Sequence, residues 1–250
     1  MQGVVYKELR QNRVFFIQGL LMPPAGIIVT LLMYAAIKDN ISAGESDTFM
    51  MILRLIIQTV SFMMLWMGSS SVFSGDESKK WSAFIAAAPN GRVRHIYGKY
   101  VFYFMTLGAF FMSSVFCDSF FSWLLYCGTG KTDMLSFTNL YFLMIFLLLM
   151  MFAFETPFAA RFGSKLGTGI RIAVLSVLFL AFAAGMLFVP AADNIADYLG
   201  EYLTKFFEGE LSDGVTFIIS VFPCVAMGAY LLSYKISESC WLKGVENYDK

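Results

Sequence analysis

Histidine is almost missing from this 250-residue sequence; His95 is the only one. Cysteine is scarce as well, with Cys117, Cys127, Cys224 and Cys240, and no pair stands at metal-ligand spacing. Cys117 and Cys127 fall in one expected helix, where a rise of about 1.5 Å per residue separates them by roughly 15 Å, beyond disulfide reach. A histidine-based metal site or a Ser-His-Asp triad has too little material here. Charge is low, at 14% of residues, where soluble domains carry about 25%. What fills the space is apolar: 58% of the chain, with 27 Phe and 16 Met, and a mean hydropathy of +0.67. This composition implies an all-α polytopic membrane protein in a single transmembrane domain. The length holds about six spans of roughly 20 residues each. No linker, soluble domain, low-complexity segment or internal repeat is evident.

The apolar runs place the spans near 14–37, 49–73, 100–127, 137–160, 170–189 and 215–234. Pro23 and Pro24 lie inside the first, where two missing donors predict a kink or break. Pro223 lies inside the last. Before the first span, Lys7, Glu8, Arg10 and Arg13 alternate with Val4, Val5, Tyr6 and Leu9. That segment reads either as a helix lying on the membrane surface or as a plain basic flank. The run that follows has no small-residue cleavage site, which favours an uncleaved anchor over a signal peptide.

Lysine and arginine set the orientation. With the N-terminus inside, fourteen of them fall in inner segments and three (Lys38, Lys131, Lys205) in outer ones; Arg54 lies within a span. Both termini are therefore expected in the cytoplasm. The outer segment 191–214 carries six carboxylates against Lys205, with Ile195, Leu199, Tyr202, Leu203 and Phe206 at helical spacing. An amphipathic outer helix before the sixth span is expected there.

The long polar interruption is Phe73–Tyr100. Ser74 and Glu77 have capping-box spacing, and Asp76 and Glu77 suit a helix N-terminus. Trp81, Phe84, Ile85 and Ala88 share one face of a short helix, and Pro89 with Asn90-Gly91 stops it. Arg92, Arg94, His95 and Lys99 follow before the third span. An apolar face turned to the cytosol predicts a partner protein, with inner-leaflet lipid as the other cover. Three charges fall within spans: Arg54, Asp118 and Glu155. Such residues are costly enough to be functional candidates. Arg54 and Asp118 match in depth, so a pair is geometrically possible, with a lone snorkelling Arg54 as the alternative. Glu155 is expected either to line an inner cavity or to pair with Arg161.

The loop resembles that of the ABC-2 type transporter permeases. Their first cytoplasmic loop often reads D-E-x-x-K-W, a short apolar helix, then P-x-x-R and K-Y. Here those positions are Asp76, Glu77, Lys80, Trp81, the run Phe84–Ala88, Pro89, Arg92, Lys99 and Tyr100. Ala86-Ala87-Ala88 stand where leucine and serine are usual. The layout looks closest to small permeases that export amphipathic peptides, such as the phenol-soluble modulin exporters. The resemblance implies a non-catalytic permease of a bacterial cell membrane, paired with a second permease chain that is expected to be identical. It implies two copies of a separate ABC ATPase, which hold ATP and magnesium; this chain needs no cofactor. It makes Asp76, Glu77, Lys79, Lys80, Trp81, Phe84, Ile85, Pro89 and Arg92 the ATPase-coupling residues. Membrane lipid is the other expected partner, and nucleic acid is not.

Two other classes compete. A self-contained secondary transporter driven by an ion gradient predicts interrupted helices in matching halves, and prolines in the first and last spans are a faint echo of that. An intramembrane enzyme needs catalytic residues clustered at one depth, and two span carboxylates with one histidine do not supply them. Gly128-Thr129-Gly130-Lys131-Thr132 resembles the end of a nucleotide-binding loop. The first glycine of that motif is Leu125 here, and no strand precedes it.

Overall fold

The computed structural model describes residues 2–37, 43–69, 71–74, 85, 87, 91–129, 137–163 and 213–247, with short pieces between 165 and 181. Among the described residues every regular element is a helix. They are α1 (Gln2–Gln11), α2 (Arg13–Ile37), α3 (Ala43–Gly68), α4 (Ser71–Ser74), α5 (Gly91–Thr129), α6 (Thr138–Phe162) and α7 (Asp213–Asn247). Among the described residues four stretches are long and apolar enough to cross a membrane: Arg13–Met33, Ile52–Ser74, Val93–Leu124 and Thr138–Phe162. They fall on the first four expected spans. α7 contains the sixth expected stretch. Most of the fifth, all of 191–212, and residues 75–84 of the loop lie outside the described residues.

α5 is the hub: α1, α2, α6 and α7 all pack on it, and α7 lies along α6. The core runs through Phe15, Leu65, Phe102, Phe110, Leu148 and Phe152. Ile28, Leu32, Phe116 and Leu231 are exposed, as suits side chains facing lipid. Helices in lipid gain little from the hydrophobic effect and associate by close packing instead, which small residues permit. A Cβ at Gly26 of α2 would stand 2.5 Å from Ile57 of α3, and one at Gly98 of α5 would stand 2.5 Å from Val4 of α1. Glycine is what lets these pairs approach.

Of the kink or break expected at Pro23-Pro24, the break does not occur; α2 runs through both prolines. Pro24 withholds the donor that the Leu20 carbonyl would normally receive. Ser113 Oγ of α5 donates to that carbonyl at 2.8 Å. Pro157 in α6 orphans the Ala153 carbonyl in the same way, and Ser233 Oγ of α7 donates to it. At Pro24 and Pro157 a serine from a neighbouring helix thus replaces the missing backbone donor. α6 ends at Gly163, whose positive φ of 88° suits glycine and whose N–H bonds back to the Ala159 carbonyl at 2.9 Å.

Two boundaries of the loop differ from expectation. The third span was expected to start at Tyr100, but α5 starts at Gly91 and is 39 residues long. That is roughly 58 Å, about twice the hydrocarbon thickness of a bilayer. Arg92, Arg94, His95 and Lys99 are therefore its opening turns. Val93, Ile96, Tyr100 and Tyr103 recur at three- and four-residue spacing, so one helical face continues unbroken through the polar stretch. At the other boundary, α3 gives way to the single turn α4 around Ser69. Ser74 donates its hydroxyl back to the Ser71 carbonyl at 2.7 Å and closes α4; the amides it was expected to cap lie outside the described residues.

Candidate functional site

Two buried charge clusters sit on α5, one around Lys99 and one around Asp118. Nineteen residues of helix separate them, or roughly 28 Å, close to the thickness of the hydrocarbon core. That spacing suits one cluster near each boundary of the apolar layer, where polar groups cost less than at its centre.

At the Asp118 end, Arg54 of α3 donates to Asp118 Oδ1, and both side chains are under 10% exposed. Tyr141 Oη donates to the same oxygen at 3.2 Å, and the Phe137 N–H donates to Oδ2 at 3.2 Å. One carboxylate thus joins α3, α5 and the start of α6. The guanidinium lies over the rings of Phe121 (4.7 Å) and Phe137 (4.5 Å), favourable cation–π placements. Beside the pair is a cavity of about 20 Å³ bordered by Thr30, Gln58 and Ser114, enough for one water. Tyr141 and Phe137 were not singled out in the sequence, although Phe137 and Tyr141 share a face at four-residue spacing.

At the other end, Lys99 was named as a motif position, but its pairing with Glu8 was not foreseen. Lys99 and Glu8 have no exposed side-chain surface, and their charges lie 3.5 Å apart. Lys99 Nζ also donates to the Val72 carbonyl at 2.6 Å and lies 4.6 Å from the Phe73 ring centre. Glu8 takes further bonds from Lys7 (3.2 Å) and Asn12 (3.0 Å). One ammonium therefore ties together α1, the turn that leads into the loop, and the helix that leads out of it. The segment before the first span is thus a helix packed on α5, and its carboxylate is internal. The available signal was that Glu8 is the only acidic residue among the first 38 and has Asn12 one turn on.

A chain of hydroxyls continues inward from this knot. Ser69, at the break between α3 and α4, lies 3.0 Å from Glu155 Oε2 and 2.7 Å from the Trp66 carbonyl. Its one proton serves these two acceptors in turn. The Ser69 carbonyl accepts from Tyr103 Oη at 2.9 Å. Glu155 was expected to pair with Arg161 or to line a cavity. The structure gives it a partner from another helix, while Arg161 is exposed with its guanidinium over the Phe162 ring. Tyr100 Oη lies between Ser233 (2.6 Å) and Ser237 (2.8 Å) of α7. Because Ser233 gives its proton to the Ala153 carbonyl, Tyr100 donates to Ser233 and receives from Ser237. Tyr230 Oη closes the set on the Tyr100 carbonyl at 2.6 Å.

Of the expected coupling residues, Asp76, Glu77, Lys79, Lys80, Trp81, Phe84 and Pro89 lie outside the described residues. Arg92 falls in the first turn of α5. Ile85 is helical but only 7% exposed, and it belongs to the core cluster of this chain. It was expected to face a partner. An apolar side chain within reach of its own core is buried there instead.

Residues 28–240 match the family model described as ABC-2 family transporter protein. The chain belongs to this family. No curated protein and no solved structure matches it. As a member it is a multi-pass membrane component of an ABC transporter, a transport part of a kind that is typically non-catalytic. Membership implies association with an ABC ATPase subunit.

Proposed function

We propose that this chain is the permease subunit of an exporter that moves amphipathic peptides, or similar lipid-like cargo, out of a bacterial cell. ATP and magnesium are held by a separate ATPase present in two copies. The permease pairs with an identical chain, has six spans, and keeps both termini in the cytoplasm. The observation that carries the reading is the family match over residues 28–240, with the loop motif Asp76 to Tyr100 inside it. The Lys99 knot supports it, because a loop pushed by an ATPase needs both ends fixed to the spans. Val72 and Lys99 bracket the loop and share one hydrogen bond. Trp81 and Phe84 dock on the ATPase, Ile85 anchors their helix inward, and Asp76, Glu77, Lys79, Lys80 and Arg92 orient the contact. An apolar cargo wall has support in the cavity of about 160 Å³ between α5 and α6, lined by Phe104, Leu107, Phe111, Phe142 and Phe146. Phenylalanine and methionine walls adapt to varied apolar shapes.

The test is to purify Trp81→Ala and Phe84→Ala permease with its ATPase and measure retained partner and peptide-stimulated hydrolysis. Aromatic anchors at interfaces often carry about 2 kcal/mol or more. Loss of partner or of stimulation, with membrane insertion normal, is the expected result. Wild-type values for both would remove the docking role.

A further inference from the structure

The Lys99 end of the molecule carries an open groove that the transport reading does not use. It lies between α6 and α7, has a volume of about 390 Å³, and is walled by Met150, Phe154, Pro157, Phe158, Leu232 and Ile236. That is within the range of small-ligand pockets, roughly 300–1,000 Å³. Its wall on α6 runs from Met150 to Phe162, about 18 Å of helix, close to one leaflet's share of a hydrocarbon core about 30 Å thick. Arg161 stands at its rim in the last turn of α6 and is exposed; its guanidinium rests 5.0 Å from the Phe162 ring centre. Among the described residues Arg161 meets no carboxylate. Lys165, just beyond the helix end, is exposed too. Glu238 of α7 lies 3.9 Å from Lys235.

We infer that this groove holds one anionic phospholipid from the leaflet on which Arg161 stands, with an acyl chain between α6 and α7 and the phosphate on Arg161. The length of the groove fits an acyl chain lying along the membrane normal. Inside the Arg161 rim its wall is apolar apart from Cys240 and Ser233, and the Ser233 proton is already given to the Ala153 carbonyl. The guanidinium supplies the fork of donors that phosphate oxygens accept. An ammonium-headed zwitterionic lipid fits the same wall but brings a positive group to a basic rim. The lipid is resident: it fills the seam between α6 and α7 and is not cargo.

The test reconstitutes the full chain, without ATPase or peptide, in nanodiscs containing phosphatidylglycerol or phosphatidylcholine that carries a photoactivatable acyl chain. Labelling is mapped by mass spectrometry. Phosphatidylglycerol is expected to label Met150, Phe154, Phe158 or Ile236 above the exposed face of α2 around Ile28 and Leu32, and phosphatidylcholine less so. Arg161→Gln is expected to lower the preference for phosphatidylglycerol about fivefold, the weight of one basic side chain near an anionic surface. Arg161→Lys should keep most of the preference, which guards against a folding artefact in the glutamine variant. Equal labelling of the groove and α2, or a preference unchanged in Arg161→Gln, overturns the inference. Because no ATPase or cargo is present, failure here leaves the transport reading standing, and the reverse also holds.

Discussion

Arg54 and Lys99 are both buried cations about one bilayer thickness apart, yet the structure treats them differently. Arg54 sits between two phenylalanine rings and has a carboxylate that also receives two neutral donors. Every group in that cluster belongs to a span or its first turn. Lys99 divides itself between a carboxylate and a backbone carbonyl, and that carbonyl belongs to the turn that opens the loop. Its carboxylate comes from a helix that precedes the spans. The Asp118 end fixes spans to one another; the Lys99 end joins the two residues that bracket the loop, Val72 and Lys99, to each other and to α1. Lesions at the two ends should accordingly separate stability from coupling.

The comparison assumes that the Lys99 end faces the cytoplasm, and an all-or-none labelling pattern checks this. Single cysteines at positions 195–212, in a chain whose own cysteines are replaced, are expected to react with an impermeant reagent in intact cells. Those at 76–94 are expected to react only after the membrane is opened. Labelling of 76–94 from outside would invert the two ends and remove the loop from any ATPase.

Asp118→Asn should have the largest effect on stability. It leaves a guanidinium buried beside two aromatic rings with no counter-charge, and breaking such a pair costs about 3–5 kcal/mol. A large fall in the melting temperature of the detergent-purified protein is expected, with partial recovery in Arg54→Gln/Asp118→Asn. Molecules that remain folded should keep normal peptide-stimulated hydrolysis with their ATPase. Additive losses in the double variant would show that the two residues do not act as a pair.

Lys99→Met should cost less and do more. Glu8 keeps its bonds from Lys7 and Asn12, so the lost interaction is that of a charged hydrogen bond, about 1.5–3 kcal/mol. The Val72 carbonyl, however, loses the donor that joins the two ends of the loop. Hydrolysis that no longer responds to peptide, at a melting temperature above that of Asp118→Asn, is the expected outcome. The opposite ranking, with coupling lost at Asp118 and kept at Lys99, would break the division of labour.

The contrast also marks how far the residues could be read without a structure. The first four spans were legible because long apolar runs have few alternatives in lipid. Arg54 and Asp118 were legible because a charge inside such a run stands out, and depth can be counted along a helix. Lys99 was not, because a lysine beside a span reads as an ordinary flank; only the continuation of α5 back to Gly91 turns it inward. Glu8 was hidden for the same reason among basic neighbours. Ile85 shows the limit of periodicity, which finds an apolar face but not what covers it. The hydroxyl chain was invisible, since serines and tyrosines carry no spacing that predicts partners on distant helices.

The smallest effect concerns how the structure tolerates Pro157, and it tests whether the serine at the Lys99 end is structural. Ser233 gives its proton to the Ala153 carbonyl, which Pro157 leaves without a backbone donor, and it accepts from Tyr100. Ser233→Ala leaves the buried Ala153 carbonyl without its donor and takes from Tyr100 the acceptor of its proton, while Ser237 stays beside Tyr100 at 2.8 Å. Hydrogen bonds between spans average about 0.6 kcal/mol in double-mutant cycles, so two of them predict a loss of about 1 kcal/mol. Ser237→Ala removes only what Tyr100 receives, so it should cost about half as much. Pro157→Ala restores an N–H to the Ala153 carbonyl from within α6. In that background Ser233→Ala should lose part of its cost, a non-additivity that a direct contact permits and a remote one does not. Melting temperatures of the four proteins in one detergent make the cycle. An unchanged cost of Ser233→Ala in the Pro157→Ala background would mean that the serine does not stand in for the missing backbone donor, and the parallel with Ser113 and Pro24 would fall with it.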